Sequence, residues 1–129
     1  YPSECVIVRP TGIYGTSVSR MIKLAETTKS YPKLHWSNRI HIDDLVAFLA
    51  HLLHVEHTEK SYICSNSQPL PLHEIIQWFQ QQLGFPTLVL ESDVSSGKQI
   101  HATRMQQMNF ELQHPHCFDD YLVLLEKRE

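Results

Sequence analysis

The sequence contains no long hydrophobic run. The most apolar stretch of its 129 residues, Leu45 to Leu53, is interrupted by His51 and is far shorter than the roughly 20 residues that a membrane span needs. A charged and then apolar leader is also missing, and the first residue is Tyr1 rather than methionine. We therefore expect a soluble chain that makes no membrane contact and is a piece of a longer protein.

Basic residues are neither in excess nor clustered. Eleven Lys and Arg against fourteen Asp and Glu give a net charge of -3, so nucleic acid is not an expected partner. The three cysteines, Cys5, Cys64 and Cys117, are odd in number and form no C-x-x-C pair. This pattern is typical of reduced thiols and predicts a cytoplasmic location.

Glycine is scarce, with four residues, and Gly12-x-x-Gly15 lacks the third glycine of a dinucleotide fingerprint. No lysine follows to make a phosphate-binding loop.

Histidine is more common, and His51, His54 and His57 are spaced three apart near a predicted helix end. No carboxylate or cysteine pattern accompanies them, so we expect no metal site. His41 lies within an apolar alternation and is predicted to be structural.

The strongest pattern is the apolar run Cys5 to Val8, followed by Pro10, Gly12 and Gly15. A short run that is apolar on both faces predicts a strand buried on both sides of a parallel sheet. Pro10 is expected to end the strand, and the glycines allow a turn and a close approach to a ligand. In open α/β sheets, ligands bind at this carboxyl edge.

Helical periodicity and turn residues divide the remainder of one domain, residues 1–129. The pattern predicts these elements: a helix from Val18 capped by Ser17, a helix of Leu45 to Leu53 capped by Asp43, a helix opened by Pro71 and stopped by Gly84, a closing helix from Phe118 to Leu125, strands at Leu34–Trp36, Ser61–Cys64 and Thr87–Leu90, and a mobile polar stretch at 92–97.

Four stretches carry a family resemblance: Arg9 to Gly15, Asn38 to Leu45, Ser67 to Pro71, and Gly97 to Ile100 before Arg104. In this order they resemble the second half of an extended or atypical short-chain dehydrogenase/reductase, the NAD(P)-dependent epimerase/dehydratases and nucleoside-diphosphate-sugar epimerases. The resemblance implies an α/β fold, namely the last strand and C-terminal substrate-binding lobe of a Rossmann-type protein. The N-terminal dinucleotide-binding half would be absent.

Catalysis in that family rests on a Tyr-x-x-x-Lys pair, and none of the five tyrosines here has a lysine four positions on. We therefore predict no catalytic residue in this chain. The resemblance implies that Pro10, Thr11 and Gly12 lie against the nicotinamide end of NAD or NADP in the intact protein, with backbone groups as donors. It also implies that Tyr14 borders the substrate, although a tyrosine packed in the core remains the alternative.

Arg39 is a candidate for holding an anionic group of a small-molecule substrate by paired hydrogen bonds. Nucleotide-sugar epimerases resembling this chain carry their diphosphate-binding arginine two positions earlier, where this chain has Ser37. That difference favours an atypical branch. A structural ion pair of Arg39 with Asp43 or Asp44 is the alternative.

The sequence thus predicts the substrate-binding C-terminal portion of an NAD(P)-dependent epimerase/dehydratase-like oxidoreductase, not catalytic alone. The alternative is a non-catalytic binding or interaction module derived from such a protein. We expect no tight binding of NAD or NADP to this chain alone. We also expect self-association through the N-terminal strand, because the chain itself would leave that strand's apolar faces uncovered.

Overall fold

A computed structural model describes residues 5–127 and shows a mixed α/β chain. Nine short strands and five helices are described within these residues. The strands are β1 (Ile7–Pro10), β2 (Gly12–Tyr14), β3 (Ser30–Tyr31), β4 (Leu34–Ser37), β5 (Arg39–His41), β6 (Ser61–Cys64), β7 (Leu70–Pro71), β8 (Val89–Leu90) and β9 (Ser95–Ser96). The helices are α1 (Ser19–Thr27), α2 (Ile42–Leu52), α3 (Leu72–Leu83), α4 (Thr103–Gln106) and α5 (Cys117–Lys127).

The strands form small sheets that are mostly parallel. β1 pairs with β6, β2 with β5, and β3 with β8, each in parallel, while β4 lies between antiparallel β7 and parallel β9. Parallel neighbours need a crossover between them, and the helices supply it. The predicted α/β class with parallel pairing is therefore confirmed.

The first strand differs from its prediction in position and in burial. It runs from Ile7 to Pro10 instead of from Cys5 to Val8, and the side chain of Ile7 is 49% exposed, so the strand is not buried on both sides. Pro10 is its last residue, as predicted. The Ile7 amide donates to the carbonyl of Lys60, directly before β6, and the Thr11 amide donates to the carbonyl of Cys64 in β6. Because backbone nitrogens alternate along a strand, the nitrogen of Pro10 faces away from β6 toward the open edge, where proline is tolerated.

Two predicted helix starts are wrong in detail. α1 begins at Ser19 after Val18, and Ser17 accepts the Ser19 amide at 3.2 Å one position before the cap. α2 is capped by His41, whose Nδ1 accepts the Asp43 amide at 3.0 Å, so Asp43 is not the cap. Its carboxylate lies in the first turn instead, where it complements the helix dipole.

The other helices follow their local signals. α3 starts directly after Pro71 and ends at Gly84, whose left-handed φ of 75° matches the predicted stop. The closing helix is confirmed as α5. The polar stretch at 92–97 contains β9, which pairs with Leu34 and His35 and therefore belongs to a sheet.

Two hydrophobic clusters form the core. The helical cluster lies among α1, α3 and α5 and consists of Tyr14, Val18, Ala25, Ile75, Phe79, Cys117 and Tyr121. The sheet cluster lies among α2, α4, β5 and β6 and consists of Ile40, Leu45, Phe48, Tyr62, Cys64, Ala102 and Met105. On the other side of the β1–β6 pair, Ile7 and Ile63 are 49% and 43% exposed. We call this side, with Arg9, the open face.

Candidate functional site

A cavity of about 360 Å³ lies where β2 and β5 meet α1. Both predicted substrate-binding residues, Tyr14 and Arg39, line it, as does Gly12. Pro10 and Thr11 do not contribute to its wall. The full lining is Gly12, Ile13, Tyr14, Thr16, Ser17, Arg20, Met21, Leu24, His35, Ser37, Asn38, Arg39, Leu72 and Tyr121.

Parallel pairing of β2 with β5 brings the site together. Gly12 lies opposite Arg39 in the register, and Tyr14 lies opposite His41. The strands approach closely at this point, because a Cβ on Gly12 would be 3.0 Å from the Asn38 carbonyl oxygen. A side chain there would require the Asn38 carbonyl to move by a few tenths of an ångström, so packing favours glycine at this edge of the cavity.

Arg39 is half-buried, and its Nε is buried with no hydrogen-bond partner among residues 5–127. An unmet buried donor costs about 1–3 kcal/mol, and more when it carries charge. The alternative ion pair does not form, because neither Asp43 nor Asp44 lies within ion-pair distance of Arg39 in the described part of the chain. The guanidinium therefore remains available to a ligand in the cavity.

Asp43 and Asp44 have other partners. The Asp44 carboxylate is fully buried and accepts the backbone amides of Gln113 at 2.8 Å and His114 at 2.9 Å. Asp43 is exposed, and its Oδ2 lies 3.7 Å from Nε2 of His114. The Asp44 carboxylate thus anchors the segment before α5 to the start of α2.

Tyr14 contributes its ring to the cavity and turns its hydroxyl inward. The hydroxyl donates to Oδ2 of Asp120 at 2.6 Å, and the ring packs edge-on against His41 at a centroid distance of 5.1 Å. Burial, together with this bond to Asp120, raises the pKa of Tyr14 far above its ordinary value. Tyr14 is therefore a buried core residue whose ring forms part of the cavity wall.

Tyr121 forms the neighbouring part of the wall. Burial raises its pKa to about 12, and the nearby Arg39 guanidinium opposes that rise. Its hydroxyl is therefore neutral at physiological pH and available as a hydrogen-bond donor.

In the predicted cofactor-contacting stretch, Pro10 and Gly12 are exposed and Thr11 is half-buried, but the backbone amides already have partners. The Thr11 amide donates to the Cys64 carbonyl at 3.1 Å, and the Gly12 amide donates to the Asn38 carbonyl at 2.9 Å. Pro10 has no amide hydrogen. A nicotinamide group at this edge would therefore meet carbonyl oxygens and van der Waals surface rather than free amide donors.

Sequence reasoning missed a cluster beside the cavity. His41 and His114 stack with centroids 3.7 Å apart and planes 8° from parallel, and Nδ1 of His114 lies 2.6 Å from Oδ1 of Asp120. Their ligand atoms lie within 4.8 Å of one another, a spacing compatible with a metal ion. An ion must lie in the plane of each coordinating ring, and parallel stacked rings share no such point. The cluster therefore fits a structural network better than a metal centre.

Two cavity residues were also missed. Arg20 lies in the first turn of α1, and His35 lies on β4 with its Nδ1 2.9 Å from Oγ of Ser96. Arg20 is exposed on its helix, as solvated arginines are, so its position in the sequence carries no sign of a site. The partner of His35 is 61 positions away, so no local signal could have found it.

The chain was compared with known proteins in three ways. No protein-family model matches it, and no curated protein matches it. Among solved structures, a protein from Methylobacillus flagellatus assigned as an NAD-dependent epimerase/dehydratase matches with 30% identity and a TM-score of 0.73. That match covers 94% of this chain and 46% of the other.

Two more distant structures share the fold. dTDP-glucose 4,6-dehydratase from Bacillus anthracis in complex with NAD matches at 18% identity and a TM-score of 0.70, covering 96% of this chain and 45% of that one. The human epimerase family protein SDR39U1 with NADPH matches at 17% identity and a TM-score of 0.73, covering 95% and 48%. The predicted resemblance and fold are thereby confirmed, and the chain spans less than half the length of these proteins.

No helix within residues 5–127 is long and apolar enough to cross a membrane.

Proposed function

Because this chain resembles the C-terminal part of an NAD-dependent epimerase/dehydratase, we propose that it is the substrate-binding portion of such an oxidoreductase and does not catalyse alone. The observation that carries the proposal is the cavity at the end of β2 and β5. Its lining includes Tyr14, whose ring forms part of the wall, and Arg39, whose buried Nε has no hydrogen-bond partner among residues 5–127. A small-molecule substrate with an anionic group supplies that partner.

The cofactor in this proposal is NAD or NADP, held mainly by a dinucleotide-binding half that residues 1–129 do not contain. This chain has neither the Gly-rich turn nor the Tyr-x-x-x-Lys pair on which binding and proton transfer depend. Pro10, Thr11 and Gly12 would border the nicotinamide end, and their exposed edge fits that limited contact. The three free cysteines support a cytoplasmic location.

The open face supports a second candidate, a non-catalytic interaction module. Ile7 and Ile63 leave an apolar strand pair partly uncovered, and such a surface suits binding to another protein. The two candidates differ in one respect, because only the first requires a dinucleotide-binding half to act with this chain.

The deciding experiment is titration calorimetry with NAD and NADPH. The chain alone should bind neither cofactor in the low micromolar range or tighter, because a nicotinamide contact by itself supplies little net affinity. The chain fused behind the dinucleotide-binding half of the Methylobacillus flagellatus protein should bind one of them more tightly than that half does alone. Tight binding by the chain alone, or no gain from fusion, would refute the first candidate.

A further inference from the structure

The charges around the cavity all have one sign. Arg20 and Arg39 both line it, and none of its fourteen lining residues is an aspartate or glutamate. The whole chain carries a net charge of -3, so this surface differs from the average of the molecule. Two arginines that line one small cavity without a carboxylate make it favourable for an anion.

His35 adds a third polar group from another element. Its Nδ1 lies 2.9 Å from Oγ of Ser96, which fixes the ring orientation beside the cavity. Ser96 is itself held, because β9 pairs with β4 and the next residue, Gly97, turns tightly at a φ of 80°. A Cβ on Gly97 would lie 2.7 Å from the Trp36 carbonyl oxygen, so this segment packs closely on β4.

One part of the cavity wall is apolar. Met21 and Leu24 of α1, Leu72 of α3 and the rings of Tyr14 and Tyr121 form it. A ligand that fills the cavity therefore needs a charged end and an apolar body of small size.

We infer that the cavity recognises a phosphate monoester on a small molecule, with Arg39, Arg20 and His35 as the groups that contact the phosphate. This inference rests on the proposed function and names the substrate class of the same site. A phosphate monoester carries a charge of about −1.5 to −2 at pH 7 and has three terminal oxygens, which match two guanidinium groups and one imidazole. A carboxylate has one charge and two oxygens, so it cannot provide acceptors and charge for all three of these side chains.

Phenyl phosphate and benzoate are suitable probes, because they share an apolar ring and differ in the anion. Titration calorimetry on the chain should give at least tenfold tighter binding of phenyl phosphate than of benzoate. Arg20→Gln and Arg39→Gln should each weaken phenyl phosphate binding at least tenfold. Arg104→Gln is the matched control, because Arg104 is exposed, bonds to Ser61 and lies outside this cavity; it should leave the affinity unchanged.

Three results would overturn the inference: equal or tighter binding of benzoate, no binding of phenyl phosphate, or an equal loss of affinity in Arg104→Gln. Arg20 is exposed, so Arg20→Gln decides the question if Arg39→Gln fails to fold. The cofactor experiment is separate. If fusion raises the affinity for NAD but the chain does not bind phenyl phosphate, only the phosphate inference is refuted. If the chain binds phenyl phosphate but fusion does not raise the affinity for NAD, only the proposed function is refuted.

Discussion

The helical cluster and the sheet cluster differ in how completely the chain encloses them. In the helical cluster, Phe79 and Tyr121 are 0% and 1% exposed, and their rings pack edge-on with centroids 4.9 Å apart. The sheet cluster is buried on one side of β1 and β6, yet the open face of the same strands leaves Ile7 and Ile63 nearly half exposed. Parallel strands are normally covered on both faces.

Hydrogen bonding differs between the two clusters in the same way as burial. The buried amide of Gln80 in α3 donates to the carbonyls of Ala25 and Thr28 at 3.1 and 2.9 Å and accepts the Leu88 amide at 2.8 Å. One side chain thus supplies hydrogen-bond partners to two carbonyls at the C-terminal end of α1 and to the amide of the residue before β8. On the sheet side, β1 pairs only with β6 among residues 5–127, so its other edge has no strand beside it. The difference teaches that residues 5–127 enclose the helical cluster, whereas the strands beside the sheet cluster keep one face and one edge uncovered within the same residues.

The largest expected effect tests the enclosed cluster. Phe79→Ala should lower the free energy of unfolding by about 3–5 kcal/mol, because it removes a fully buried ring and leaves a cavity among three helices. Urea denaturation monitored by circular dichroism measures it. Ile63→Ala is the comparison on the open face, where a 43% exposed side chain should cost about 1 kcal/mol or less. Equal losses at the two positions would mean that the open face is as well covered as the helical cluster.

Local sequence signals predicted the enclosed region well. The spacing of Val18 and Ala25 placed α1 against the core, and Gly84 marked the end of α3, because each signal depends on residues within one or two helical turns. The cap of α2 was missed, since histidine is not a favoured cap residue and here it acts through a ring nitrogen. The burial of Cys5 to Val8 was overestimated, because apolar character shows what a strand can bury and not what covers it.

The candidate site was predicted in part. Tyr14 was named through the family resemblance and Arg39 through its charge and its place before α2, and the structure places both at one cavity. The inward turn of the Tyr14 hydroxyl was not predictable, because its acceptor, Asp120, is 106 positions away. Contacts between such distant residues depend on tertiary packing and leave no periodic signal in the sequence.

A smaller effect is expected at Gly15, beside the His41 ring. Gly15 has a φ of 118°, and a Cβ there would lie 2.6 Å from Nε2 of His41. Gly15→Ala should therefore cost about 2–4 kcal/mol, from backbone strain and from displacement of the His41 ring. The measurement is again urea denaturation. Gly84→Ala is the matched control: its φ is 75° with no atom within 4 Å, so strain alone should cost about 1 kcal/mol.

If Gly15→Ala and Gly84→Ala lose the same stability, the His41 ring moves freely out of the way. The Tyr14–His41 contact would then not contribute measurably to stability.

The smallest expected effect concerns association through the open face. We expect the chain to self-associate at micromolar concentration, because β1 offers an open edge and a partly exposed Ile7. Ile7→Lys should weaken association about tenfold, equivalent to about 1.4 kcal/mol, since a lysine on an edge strand opposes pairing. Sedimentation equilibrium measures the change. Val123→Lys on α5 is the control, because Val123 is similarly exposed, at 46%, but lies away from the β1 edge. A chain that stays monomeric at 15.0 kDa, or one that both substitutions affect equally, would show that this strand is not the contact.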